Sequence, residues 1–299
     1  MAVVIGILTG FLCRMRMLRT DYRQYPTYPH GRVIHLSLGL IAAGLGAVAV
    51  PALLNKNYTA ITFLSLAAQQ FREVRNMERE TLSKLDEMVL VKRGSTYIEG
   101  IAMVFEGRNY IVILSALLTS LVVLLAGQWI WGVLMGVVLV GVSGLLRTGK
   151  LLGDIADVEE GTLRFEGSSL YVDDIYIMNI GLKDNRDRIR KQGLGAVVTP
   201  KDKDSRITLS NLGQRQAILH DVSTVLGVYR DTGEPSLVPL IKRDLNDGRL
   251  GVFLIPEEKD SKAAIDMIQR VPVLESAVRM PTELLKRLSW RGRSNGNDI

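Results

Sequence analysis

Apolar residues run in long unbroken stretches up to about residue 147 and in short alternating segments after it. Residues 33–54 form a 22-residue run whose only strongly polar member, His35, sits near one end. At 1.5 Å per residue such a run crosses a hydrocarbon core of about 30 Å. Residues 111–127 and 130–146 are two further runs parted only by Gln128 and Trp129. They predict a helical hairpin with Trp129 and Trp131 at the water interface, where aromatic side chains gather. Residues 1–13 and 58–71 each offer about a dozen apolar positions, and the second contains Gln69 and Gln70. Both are also read as spans, although a full crossing needs about 20 residues. The pattern therefore predicts a membrane domain of five helices over 1–149, with a cytoplasmic helical segment at 72–109.

Within that segment Val74, Met77, Leu82, Leu85, Met88 and Val89 recur mostly at three- or four-residue spacing, which predicts an amphipathic helix over 71–92. Gly94 ends it, and Ser95 and Thr96 can cap a second helix with an apolar stripe of Ile98, Ile101, Ala102 and Phe105. The region 150–290 reads as a soluble α+β domain. Segments 162–166 and 170–173 flank Gly167-Ser168-Ser169 as a hairpin, and 175–178 adds a third strand. Gly195 to Pro200 is then echoed by Gly251 to Pro256, each followed by an amphipathic helix, at 214–226 and 261–270. Strands at 237–242 and 274–279 would close two βαβ units in tandem, a ferredoxin-like sandwich. A basic helix is expected at 282–290 and a disordered tail at 291–299.

Charge gives this pattern an orientation. Residues 1–147 carry 14 Lys or Arg and 8 Asp or Glu, whereas 148–299 carry 23 of each, so the net charge of +6 belongs to the first half. With the amino terminus outside, five Arg in 14–32 and seven Lys or Arg in 72–109 face the cytosol, and the outward loops keep Lys56 alone. Lys and Arg are retained on the cytoplasmic side. The expected location is thus the cell membrane, multi-pass, with the carboxy-terminal domain inside. Arg14, Arg16 and Arg19 follow the first apolar run instead of preceding it, which excludes a cleaved signal peptide. The soluble half is electrically balanced, which argues against nucleic acid as a partner despite a pI of 9.4. One cysteine, Cys13, and three scattered histidines point to neither a disulfide scaffold nor a metal site, and no cofactor is expected.

Candidate sites are few. Gly39, Ala43 and Ala47 repeat every fourth residue, and Gly132 with Gly136 forms a Gly-x-x-x-Gly pair. Such rows let helices approach closely, inside one bundle or between copies in a homo-oligomer. Pro51 lies near the end of its helix, where a frayed terminus accounts for it. Glu99 and Glu106, seven residues apart, with Arg108 and Asn109, are candidates for binding a cation or a basic partner; a solvated helix face is the plainer alternative. Gln214, Arg215 and Gln216 open a helix and complete the candidate binding set. His220 and Asp221 are adjacent, so on a helix they diverge by about 100°, and His220 falls off the Ile218, Val222, Val225 stripe as a surface residue. No catalytic set emerges and the expected role is non-enzymatic.

Tyr97-Ile98-Glu99-Gly100-Ile101-Ala102 spells the six-residue signature of the YIEGIA family of endospore-forming bacteria, and Phe105 to Tyr110 resembles the continuation of that family's pattern. Gly213 to Asp221, Gly233-Glu234-Pro235 and Pro272 to Ser276 also resemble it. The resemblance implies a sporulation-associated integral membrane protein with a small capping complement protein as a partner. Two functions follow as expectations. The first is a polytopic protein in contact with membrane lipids that presents its α+β module to recruit or organise other sporulation proteins. The alternative is a transport or lipid-handling protein whose polar segment 97–110 enters the bundle.

Overall fold

The computed structural model describes residues 1–22, 31–89, 91–145, 149–228 and 237–278. It divides into two compact units, Met1–Leu85 with Ile101–Thr148, and Asp86–Gly100 with Gly149–Arg279.

The first unit is helical: α1 (Ala2–Asp21), α2 (Gly31–Leu54), α3 (Tyr58–Phe71), α4 (Val74–Glu87), α5 (Ser95–Ala126) and α6 (Trp129–Ser143), with α4 and α5 reaching into the residues of the second. Two of these, α2 and α5, are long and apolar enough to cross a membrane, and α6 is a shorter apolar helix. α1 has the length but ends in Arg14, Arg16 and Arg19, and α3 has only 14 residues. The helix expected to start at Ser95 and the span expected at 111–127 are a single helix of 32 residues, because no proline intervenes. At 1.5 Å per residue it is about 48 Å long, more than a hydrocarbon core needs.

Small residues set the helix directions. A Cβ on Gly6 would come 2.8 Å from the Ala116 carbonyl oxygen and 3.0 Å from the Ala47 Cβ; one on Gly10 would come 2.9 Å from the Ala43 Cβ. Gly39 faces Arg14 in the same way. Rising numbers on α1 thus meet falling numbers on α2 and α5, so α1 is antiparallel to both. Gly132 lies against Ile5 and Val123, and Gly136 against Thr9, so α6 runs parallel to α1. The Gly39, Ala43, Ala47 row therefore packs within the chain, where small side chains bring backbones together.

Pro51 lies inside α2, one turn before its end. A proline has no N–H to give the carbonyl of Ala47, four residues back. The Ser120 hydroxyl of α5 donates to that carbonyl at 2.9 Å and is itself fully buried. The position is thus a built contact between α2 and α5, not a frayed end.

The second unit contains α7 (Leu152–Ile155), β1 (Ala156–Gly161), β2 (Leu163–Glu166), β3 (Ser169–Val172), β4 (Ile175–Asn179), α8 (Lys183–Gln192), β5 (Leu194–Pro200), α9 (Lys203–Ser210), α10 (Leu212–Leu226), β6 (Leu240–Arg243), β7 (Leu250–Leu254) and α11 (Ser261–Arg270). A four-stranded antiparallel sheet has the order β1-β5-β7-β6, and a three-stranded one the order β2-β3-β4. Gly167, at φ +62°, supplies the left-handed residue that the two-residue β2–β3 turn requires. Leu170, Val172, Ile175 and Ile177 of the small sheet pack with Val197 and Phe253 of the large one and Ile189 of α8. The other face of the large sheet meets α9, α10 and α11. β7 is therefore buried at every residue and lacks the usual apolar–polar alternation. Asp202, Asn211 and Asp260 cap α9, α10 and α11, each accepting a backbone N–H three residues on.

The two echoed segments are β5 and β7, and they pair directly, Gly195 opposite Phe253 and Val197 opposite Gly251. The strand expected at 274–279 is not formed, since Glu275–Ala277 is a 3-10 turn. β1 takes the outer place beside β5. Its sequence, with Val158 as the single large apolar residue, gave no strand signal. The expectations for 229–236 and 279–299, including the helix at 282–290 and the tail, fall outside the described residues.

Replacing Ser120 by Ala should lower the thermal midpoint of the purified protein, corresponding to about 1–3 kcal/mol for a stranded buried carbonyl. Adding Pro51→Ala should return most of the loss, because the restored N–H takes over the Ala47 carbonyl. A double-mutant cycle read by thermal unfolding checks this.

Candidate functional site

The first unit buries charge. On α1, Arg14 and Asp21 are seven residues apart and so face the same way two turns on. Arg14 Nη1 lies 3.3 Å from Asp21 Oδ2. Arg108 of α5 pairs through Nη1 with Asp21 Oδ1 and donates to the Met17 carbonyl at 3.0 Å. The Arg14 guanidinium also stands over the Phe105 ring, 4.6 Å from its centroid. His35 of α2 is 4.7 Å from the same ring, and its Nε2 approaches Glu78 Oε1 of α4 at 3.5 Å. Tyr22 stacks on His35 from the other side. Arg14 and His35 are 0% exposed, Asp21 and Arg108 4%, and Glu78 5%. Two guanidinium groups and two carboxylates are thus buried in one part of the unit. Each alone would be costly to desolvate; paired with such neighbours they are tolerable.

Arg108 enters this network because Phe105, Arg108, Asn109 and Val112 form one buried stripe on α5. Glu106 lies on another face and pairs with Arg75 of α4 at 3.6 Å. Glu99, partly buried, belongs to the second unit. Glu106 and Arg108 therefore lie on different faces of α5, and Arg108 has Asp21 as a counter-ion. Asn109 is fully buried with neither amide atom hydrogen-bonded. What the sequence reasoning missed is Arg14, Asp21, His35 and Glu78. Arg14 and Asp21 lie in the segment that reads as a solvated basic loop, yet their two-turn spacing was a usable signal.

The second unit joins three of the quoted sequence blocks. The Tyr97 N–H, at the start of the hexapeptide, donates to Gln216 Oε1 at 2.9 Å. Gln214, 0% exposed, donates through Nε2 to the Pro272 carbonyl at 3.2 Å and accepts from the Leu274 N–H at 2.8 Å. Asp86 accepts from the N–H groups of Arg93 at 2.7 Å and Gly94 at 3.3 Å. Gly94 needs to be glycine twice over: its φ is +88°, and a Cβ would lie 2.4 Å from Gln216 Nε2. Gly100 likewise leaves room for Ser276, whose Oγ would be 2.5 Å from a Cβ. Gln214 and Gln216 are thus internal struts, while Arg215 is partly buried near Ser210.

His220 is buried against the Val91 carbonyl, with Nδ1 at 2.7 Å, and is not the surface residue its helical position suggested. Burial, with the Arg93 charge adding to it, holds its pKa below the ordinary value, so Nδ1–H donates to that carbonyl. Burial also pushes the neighbouring Asp221 up to about 6, against a smaller lowering by Arg93. Among the described residues no group of three or more His, Cys, Asp or Glu is placed to hold a metal ion.

Taken together, these features define a two-part protein: a helical unit with two helices able to cross a membrane, then a small antiparallel α+β unit. The chain belongs to the YIEGIA family, whose profile, described as YIEGIA protein, matches residues 2–284. It is 56% identical over 284 residues, 95% of each chain, to the "Uncharacterized protein YphB" of Bacillus subtilis (strain 168), an endospore former. No solved structure matches it.

Asp21→Asn should cost about 3–5 kcal/mol, because it leaves two buried guanidinium groups short of a carboxylate. Glu106→Gln, at a partly exposed pair, should cost under about 1 kcal/mol. Thermal unfolding in detergent separates the two. For Asp221, whose pKa is raised by folding, the stabilisation is present below the unfolded value near 4 and is lost as pH climbs to about 6. Hydrogen exchange on α10 should therefore show weaker protection at pH 7 than at pH 5, by on the order of 1–2 kcal/mol, and Asp221→Asn should flatten the difference.

Proposed function

We propose that this protein crosses the cell membrane several times, with its amino terminus outside, and presents its α+β unit to the cytosol to recruit or organise partner proteins during sporulation. The opposed directions of α1 and α2, the return of α3 after a short turn, and the opposition of α5 and α6 are compatible with five crossings. The concentration of Lys and Arg in the cytoplasmic segments supports the orientation. The buried Arg14–Asp21–Arg108 group favours a fixed bundle over a conduit, because its charges are spent on one another. The strand order, with β1 in the outer place, supports a ferredoxin-like arrangement whose outer strand comes early in the chain.

The observation that carries the recruiting role is a row of side chains across the small sheet. Arg164 is paired in register with Tyr171, and Tyr171 with Tyr176. The two tyrosine rings meet edge to face at 5.6 Å; the Arg164 guanidinium stands 4.8 Å over Tyr171 and the Lys242 ammonium 5.1 Å over Tyr176. These positions lie opposite the buried Leu170, Val172, Ile175 and Ile177, so they face outward, and Tyr176 is 41% exposed. Tyrosine and arginine dominate protein-binding hot spots because they bring large area at low entropic cost. The cations are already engaged, Arg164 with Glu166 and the Asp173 carbonyl and Lys242 with the Ile177 carbonyl at 3.4 Å, so the row offers a partner chiefly its exposed ring area.

Tyr171→Ala with Tyr176→Ala should cut partner recovery, after crosslinking in sporulating cells, by tenfold or more while membrane abundance stays within about twofold. Unchanged partners would reject this surface. A reporter fused behind Ile299 should be active in the cytosol; activity outside would reject the orientation.

A further inference from the structure

Between α2, α3 and α5 the first unit has a cavity of about 300 Å³. Leu45, Ala49 and Leu53 of α2 line one wall, Ile61, Leu64 and Ala68 of α3 the other, and Ile113 of α5 closes the back. Ser65 also reaches it, but its hydroxyl donates to its own helix at the Ile61 carbonyl, 2.9 Å away, so it adds no unmet polar group. The hollow exists because small residues stand where bulk would fill it: Gly46 lies so close to α5 that a Cβ would be 2.1 Å from the Ile113 carbonyl oxygen.

One end of this cavity is polar. Phe71 and Tyr110 close it there. The Tyr110 hydroxyl donates to Glu106, which also pairs with Arg75 at 3.6 Å. Arg72 directly follows Phe71 and is the C-cap of α3. Arg72 is exposed and has no side-chain partner among the described residues, whereas Glu106 is already shared by two donors. The end therefore carries a cation without a side-chain partner among the described residues, beside Glu73, which accepts from Asn76 at 2.9 Å. Since Tyr110 lies one turn after Glu106 on α5, and Leu45 lies nearer than Leu53 to the Gly39 level of α2, the polar end is on the side of the buried Arg14–Asp21–Arg108 group.

We propose that this cavity holds one acyl chain of an anionic phospholipid, with the lipid phosphate at Arg72. This rests on the proposed membrane location of the first unit, and the polar end then sits at the cytoplasmic leaflet. A dry hollow of this size forfeits the dispersion contacts of its lining, and an acyl chain restores them without any polar group to desolvate. A long basic side chain next to Phe71 can lay its stem on apolar surface while its head stays at the interface. An anionic headgroup is attracted to a basic side chain held at the inner interface.

The test uses the full chain in nanodiscs of phosphatidylcholine that carry phosphatidylglycerol with a photoreactive group at mid-chain. After irradiation, labelled peptides are mapped by mass spectrometry. Labelling should concentrate on residues 45–53 and 61–68 and fall about tenfold in Ala49→Phe with Ala68→Phe. Arg72→Glu, an exposed change that leaves the lining intact, should cut labelling by phosphatidylglycerol severalfold but leave that by the matching phosphatidylcholine probe unchanged. Labelling spread evenly over all apolar helices, or indifferent to the filling substitutions, would overturn the chain site; equal labelling by both probes, unaltered by Arg72→Glu, would overturn the headgroup contact. Carbonate extraction of native membranes separates these failures from the other: a chain released by carbonate rejects the membrane location itself, whereas a retained chain without focused labelling rejects only the lipid site.

Discussion

A single carboxylate, Asp21, sits between two guanidinium groups where almost no water reaches, and the arrangement of the helical unit depends on it. Arg14 and Arg108 come from antiparallel helices, and neither can be buried unless Asp21 is there to meet it. That requirement explains why α1 continues as helix well past its apolar part, to Asp21 itself. It also fixes the register of α1 against α5. The apolar ends of the same helices are fixed by a different means, the close contacts of Gly6 and Gly10 with Ala43, Ala47 and Ala116. Ion pairing sets one end of the bundle and small-residue packing the other. Because the first is strong only when complete, it specifies alignment more sharply than it adds stability.

The α+β unit repeats this use of polar groups. Gln214 and Gln216 belong to the stretch expected to bind a partner, yet each bonds backbone groups of its own unit, as His220 and Asp86 do. They hold the segment 86–100 and the turn after α11 against α10. Groups so engaged have little left for a partner. The outward row of Arg164, Tyr171, Tyr176 and Lys242 keeps aromatic area exposed, although Arg164 also pairs with Glu166 and Lys242 donates to the Ile177 carbonyl.

What could be read from the sequence follows the range of each signal. Long apolar runs located α2 and the second part of α5, and the Gly167 turn located the β2–β3 hairpin, because these depend on neighbours in the chain. The extent of Ser261–Arg270 was legible for the same reason: its Asp260 cap and its apolar spacing are local. β1 was not legible, since a strand with Val158 as its main apolar residue is formed by pairing with β5, 38 or so positions away. The Asp21 network was hidden by a similar distance effect. Arg14, Asp21 and Glu78 read as charges of cytoplasmic segments and His35 as the end of a span, and only folding brings them to Arg108. Arg108 was singled out correctly as unusual, but with Glu99 and Glu106 as its company, because sequence spacing suggested those and the buried stripe of α5 chose otherwise.

The hexapeptide at 97–102 shows why a recognisable motif need not mark a reacting group. Tyr97, Ile98, Gly100, Ile101 and Ala102 are all buried. Tyr97 is held through its backbone by Gln216, and Gly100 is small because Ser276 occupies the space a side chain would need. Each of these demands is steric or structural, so each residue type is fixed by its surroundings without reference to any ligand. Glu99 is the one member left partly exposed. The other five act as a packing instruction for the start of α5.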